Sequence, residues 1–95
     1  MRDEEFRSFL TKKFRGNRRH RPLAAKPSGD AVSRCRRVEE VLGVNLDMAL
    51  PRLGLPRILE QIRDRSTSFR FEGNVAQGIT TLRTAVRFYA AFLGM

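Results

Sequence analysis

The sequence predicts an all-α fold, a small bundle of four to five helices in one domain spanning residues 1–95. Three observations carry that expectation. Apolar residues recur at intervals of three and four along several segments, the period of one helix face. Asn, Asp, Ser and Gly stand where those segments should start and stop. No stretch alternates apolar and polar residues long enough to make a paired strand. With 41% apolar residues there is material for a modest core, and one domain is what this length supports.

The first segment, Asp3 to Phe14, places Phe6, Phe9, Leu10 and Phe14 at helical spacing. Asp3, Glu4 and Glu5 lie in its first turn, where carboxylates favour the positive end of the helix dipole, and Lys12 and Lys13 lie near the other end. Gly16-Asn17 provides a stop. Residues 16–29, GNRRHRPLAAKPSG, hold two prolines, two glycines and five basic residues with little periodicity. They read as an arm able to order against phosphates, in preference to a solvated linker.

A second helix is expected from about Asp30 to Leu42, capped by Ser28 or Asp30 and ended by Gly43 in the left-handed conformation. Ala31, Val32, Cys35, Val38 and Leu42 share one face. Ser33, Arg36, Arg37 and Glu40 share the opposite face, with Arg34 at the border and Glu40 able to partner Arg36 one turn back. A helical turn capped by Asn45 or Asp47 follows. Pro56 then suits the first position of another helix ending near Arg65, with Ile58, Leu59 and Ile62 inward. Residues 66–73 read as a loop in which Phe69 and Phe71 alternate around Arg70, leaving room for a short extended piece. The last helix has the cleanest pattern: Val75, Ile79, Leu82, Val86, Tyr89, Ala90 and Leu93, with Asn74 as cap and Gly94 as terminator. Arg83 and Arg87 line a flank beside Thr80 and Thr84. Phe88 points away from the stripe, either covering another helix or offering a contact to a partner or second subunit.

Charge is distributed unevenly. The net charge of +9 can be placed entirely between Lys12 and Arg37, a window with ten Lys or Arg against the single Asp30. A basic block beside a nearly neutral remainder is the footprint of a polyanion-binding surface. Arg outnumbers Lys sixteen to three, and its planar fork suits phosphate and guanine edges. Catalysis is not expected. The one histidine, His20, lies in the basic arm, and no nucleophile, base and orienting carboxylate share a recognisable spacing. No metal-ligand set and no Gly-rich phosphate loop are present, so no metal and no cofactor are expected. No apolar run approaches the ~20 residues of a membrane span. The N-terminus lacks the apolar stretch of a signal peptide, and the one cysteine, Cys35, fits a reducing compartment, so a cytoplasmic location is expected.

Two stretches carry a family resemblance. Residues 30–50, DAVSRCRRVEEVLGVNLDMAL, resemble a helix of the N-terminal core-binding domain of tyrosine recombinases and phage-type integrases. That helix follows a polar turn, carries Arg or Lys on one face and ends near an FLG or LLG element. Residues 75–93, VAQGITTLRTAVRFYAAFL, resemble the later helix of the same domain, with its T-x-x-R-x-x-S-A-L-R-x-F-Y-x-F-L run; Phe6 to Phe14 would be the opening helix. The resemblance implies a SAM-like bundle that clamps duplex DNA, with two helices facing the major groove. By position these are the helix with Ser33, Arg34, Arg36 and Arg37 and the helix with Thr80, Arg83, Thr84 and Arg87. The family's catalytic Arg, His-x-x-Arg and Tyr belong to a separate domain with no counterpart here, and the arm is longer and more basic than the usual turn. Recombination is therefore not implied.

The expected function is non-enzymatic binding of nucleic acid, duplex DNA before RNA. Arg15, Arg18, Arg19, Arg21 and Lys26 would contact phosphates, and Arg34, Arg36 and Arg37 the groove. The alternative is a protein-interaction module whose basic face meets an acidic partner, such as a phage- or mobile-element-encoded regulator. Membrane-surface binding is the weakest option, because the arm has no adjoining exposed apolar helix face.

Overall fold

In the computed structural model the described residues are 1–14, 24–71 and 73–95. Among the described residues, five α-helices, α1 (Asp3–Lys12), α2 (Ala25–Leu42), α3 (Leu46–Leu53), α4 (Leu55–Asp64) and α5 (Val75–Phe92), share one core. A 3₁₀ turn, Ser66–Phe69, joins α4 to α5.

The two long helices, α2 and α5, form the centre. Val38 and Cys35 of α2 and Ala85, Val86 and Leu82 of α5 are buried at their junction. The small Cys35 lets the backbones approach closely enough for its thiol to donate to the Ala85 carbonyl, 3.3 Å away. Burial first, then the Glu39 and Asp3 carboxylates, push that thiol well above the ordinary cysteine range, so it stays protonated. Ile58, Leu59 and Ile62 of α4 are buried as their spacing predicts. Each such side chain contributes roughly 1.5–3 kcal/mol when fully withdrawn from water.

An aromatic belt fastens α1 across the C-terminal half of α5. The Phe6 ring meets Tyr89 edge-on at 4.8 Å, and Phe9 packs on Phe92 at 5.5 Å. Phe14 meets Phe88 at 4.7 Å. Phe88 is thus half-buried against Phe14, covering another element rather than standing free as a contact surface.

Below the belt a polar knot ties four helices. The Tyr89 hydroxyl donates to Asp47 and accepts from the Arg2 backbone N–H at 3.1 Å. The Arg2 guanidinium reaches Asp47 at 3.3 Å and lies 4.8 Å over the Phe92 ring. Glu39 of α2 accepts from the Leu46 N–H at 2.8 Å, and Asn45 accepts from the Asp47 N–H at 2.9 Å, so two orphan donors of α3 are satisfied. The Met1 amino group lies 3.4 Å from Glu39. Burial and the hydrogen bond to Asp47 push the Tyr89 phenol above the usual tyrosine range.

Three expectations are corrected. First, α2 begins at Ala25, not near Asp30, so Lys26 to Gly29 belong to the helix and not to an arm. Pro27 is tolerated because first-turn N–H groups have no intrahelical partner. Ser28 is fully buried and donates its hydroxyl to the Ala24 carbonyl at 2.8 Å, so it does not cap the helix. Second, residues 66–69 form a 3₁₀ turn that buries Phe69, and Phe71 stacks on it at 5.9 Å with the rings 18° apart; no extended piece forms. Third, Val75, placed on the inward stripe of α5, is 49% exposed because it occupies the first turn. The expected stop at Gly16-Asn17 lies outside the described residues; α1 itself ends at Lys12.

Candidate functional site

On α2 the outward face is as predicted: Ser33, Arg36, Arg37 and Glu40 are exposed, and Arg34 is half-buried at the border. The three arginines then part company. Arg36 turns toward α1, where its Nε pairs with Asp3, in place of the expected pairing with Glu40. Arg34 and Arg37 turn the other way, toward the N-terminal half of α5, and line a cleft of about 330 Å³ with Phe71, Asn74, Gln77 and Thr81.

The far wall of that cleft follows from how α5 starts. Asn74 caps the helix by accepting from the Gln77 N–H at 3.1 Å, which brings the positive end of an eighteen-residue dipole to the cleft. Gly78 lies behind it. A Cβ there would come within 2.4 Å of Phe71 Cδ1, so the missing side chain is what lets the Phe71 ring lie on the helix. The chain reaches that ring through Arg70, which sits at φ 50° in the left-handed region and gives its carbonyl to Arg37 Nη2 at 3.4 Å. Among the described residues neither Arg34 nor Arg37 pairs with a carboxylate. Two uncompensated guanidinium groups, one helix N-terminus and the amide of Gln77 make this an anion-accepting cleft.

The remaining residues of the expected set are placed as follows. Lys26 is exposed in the first turn of α2. Thr80 and Arg87 are exposed on α5, and Arg83 and Thr84 are half-buried. Thr80 and Thr84 donate their hydroxyl protons to the carbonyls of Ala76 and Thr80, at 3.0 and 2.9 Å, so they have only lone pairs to offer a phosphate. At ~100° per residue, Arg83 projects about 160° and Arg87 about 120° from Thr81 around α5. Neither lines the cleft. Arg83 Nε is buried without a hydrogen-bond partner. Arg15, Arg18, Arg19 and Arg21 lie outside the described residues.

Gln77 and Thr81 carry no sequence signal of their own for this site, and Asn74 signals only a helix cap. The signal that could have found them is Gly78. A glycine inside an otherwise well-formed helix marks a close approach by another segment, and its neighbours one turn away then face whatever approaches.

Among the described residues no helix is long and apolar enough to cross a membrane, and no three His, Cys, Asp or Glu side chains gather as metal ligands. No protein-family model, curated protein or solved structure matches the chain, so the recombinase-like resemblance rests on its own residues.

Proposed function

We propose that the chain is a non-enzymatic nucleic-acid-binding domain that takes duplex DNA, in the manner of a recombinase core-binding domain. The observation that carries this reading is the pair Arg34 and Arg37, which line a polar cleft at the start of α5 with no carboxylate partner among the described residues. Phosphate affinity comes from these two side chains, from Lys26 and from the arm residues Arg15, Arg18, Arg19 and Arg21. Gln77 is the side chain placed to read a base edge, since an amide can bond an adenine edge through two hydrogen bonds.

The test is fluorescence anisotropy with a labelled duplex over a salt series. Six neutralised phosphates give a slope of log K against log salt near −5. The double variant Arg34→Gln/Arg37→Gln should lower affinity and flatten that slope by nearly 2. Arg36→Gln should leave both in place, because Arg36 is held by Asp3 away from the cleft. Equal affinity of the wild type and the double variant would sink the proposal. Competition with double-stranded RNA of the same length decides between the two nucleic acids; preference for RNA moves the function to RNA.

A further inference from the structure

We infer that α5 carries a second, separate backbone-binding face, formed by Arg83 and Arg87, and that one molecule bridges two nucleic-acid segments. The inference rests on the duplex-binding reading above.

Four observations lead to it. Val75–Phe92 contains no Asp or Glu, and among the described residues neither arginine is paired with a carboxylate, so the only charges α5 itself carries are positive. Arg83 is half-buried with its Nε enclosed, so packing against the fold holds the side chain in place while the rest of it stays accessible. The two residues, four apart, are separated by about 6 Å along the helix axis, a spacing that suits neighbouring phosphates on one strand. On the same side of α5, Ala76, Thr80 and Thr84 carry short side chains, which let a sugar-phosphate backbone come close to the helix.

This face cannot serve the same segment as the cleft. Arg83 and Arg87 are turned by about 160° and 120° from the cleft-lining Thr81. The protein's extents are 34 × 32 × 21 Å, so a duplex seated in the cleft would have to bend sharply around a body no wider than a few helices to reach them. DNA with a persistence length of ~150 base pairs resists that. A second segment meets the α5 face at no bending cost.

The experiment uses the full 95-residue chain and two duplexes of unrelated sequence, one on beads and one labelled. Wild-type protein should retain the labelled duplex on the beads at low salt. Arg83→Gln/Arg87→Gln should cut that retention at least tenfold, while affinity for a single duplex, read by anisotropy, changes less than threefold. Arg87→Gln alone, which leaves the half-buried Arg83 in place, should lose bridging several-fold; circular dichroism checks that each variant is helical. Bridging that survives the double variant overturns the inference, as does a fall in single-duplex affinity in step with bridging. Sedimentation showing a dimer at the working concentration overturns it too, since two cleft sites would then account for retention. Loss of anisotropy signal in the wild type refutes the duplex-binding reading, a result distinct from intact single-duplex binding without bridging.

Discussion

Gly78→Ala should destabilise this protein, although alanine is by far the better helix former. In an exposed helix interior the change gains about 1 kcal/mol. Here the new Cβ would stand 2.4 Å from Phe71 Cδ1 and 2.8 Å from Cγ. Because Cγ is the root of the ring, spinning the ring about its own axis cannot relieve the overlap, and Phe71 must leave its seat. Phe71 is half-buried, so the loss is about half of the ~1.5–3 kcal/mol of a fully buried side chain. Its stacking on Phe69 adds ~0.5–1.5 kcal/mol. The sum is roughly 2 kcal/mol, which outweighs the helix gain and leaves a net loss of about 1 kcal/mol. The same substitution in a Phe71→Ala background should be stabilising by about 1 kcal/mol, since nothing then lies on the helix. Urea unfolding of the four proteins gives the coupling directly, expected near 2 kcal/mol. Additivity, with Gly78→Ala stabilising both backgrounds alike, would refute the packing of Phe71 on α5 and with it the shape of the cleft. Because Phe71 and Gly78 both line the cleft, the substitution should also weaken duplex binding with no change of charge.

The polar knot and the caps give further expectations. Tyr89→Phe removes one donor from Asp47, which keeps the Arg2 guanidinium, and leaves the Arg2 N–H without its acceptor, a cost of ~1–3 kcal/mol by denaturant melting at neutral pH. The folded phenol titrates above its ordinary value of 10.0. Its contribution is therefore complete below about pH 10 and is lost as pH rises through the raised folded value. Wild-type stability should fall steeply on the alkaline side, and the Phe variant should lack that part of the slope; parallel curves would contradict the assignment. Asn45→Ala and Asn74→Ala should each cost about 1 kcal/mol through loss of a cap, and only the second should also reduce duplex affinity, because only Asn74 borders the cleft. Arg36→Gln should cost under ~1 kcal/mol, as expected of an ion pair whose arginine is 64% exposed.

What the sequence made legible, and what it did not, divides by range. The inward faces of α2, α4 and α5 could be read because a helix maps spacing directly onto direction, and Val38, Ile62 and Leu82 needed no knowledge of their partners. Punctuation misled at residues 26–29. Pro and Gly read as breakers, yet a proline in the first helical turn forfeits nothing, and the buried Ser28 satisfies its hydroxyl within the turn. Phe69 and Phe71 look like a strand because they are two apart, whereas a left-handed Arg70 between them lets both rings stack from a 3₁₀ turn. The cleft was half legible. Arg34 and Arg37 follow from the pitch of α2, but Gln77 and Thr81 join them only because α2 crosses α5 at the Cys35–Ala85 contact. That crossing is set by side-chain volumes over fifty positions of chain, which no local pattern encodes. Separation of Arg36 from its neighbours has the same origin, since its partner Asp3 is on another helix.

Acid placement, more than the number of bases, gives the site its character. Four carboxylates are committed near the N-terminal end of the chain: Asp3 to Arg36, Glu5 to Arg2, Asp47 to Arg2 and Tyr89, and Glu39 to Met1 and the α3 backbone. Asp3, Asp47 and Glu39 tie α1 or α3 to the two long helices, while Glu5 pairs with Arg2 within its own segment. Arg34 and Arg37 on one flank and Arg83 and Arg87 on the other are left without a carboxylate among the described residues. Unpaired guanidinium groups on a folded surface gain little stability from their position. Under the proposed duplex-binding function, a phosphate backbone would supply the counter-charge at both flanks. Moving one acid should therefore have a large effect: Thr81→Glu would place a carboxylate on the cleft wall facing Arg34 and Arg37, neutralise part of that field, and weaken duplex binding while leaving the helix intact.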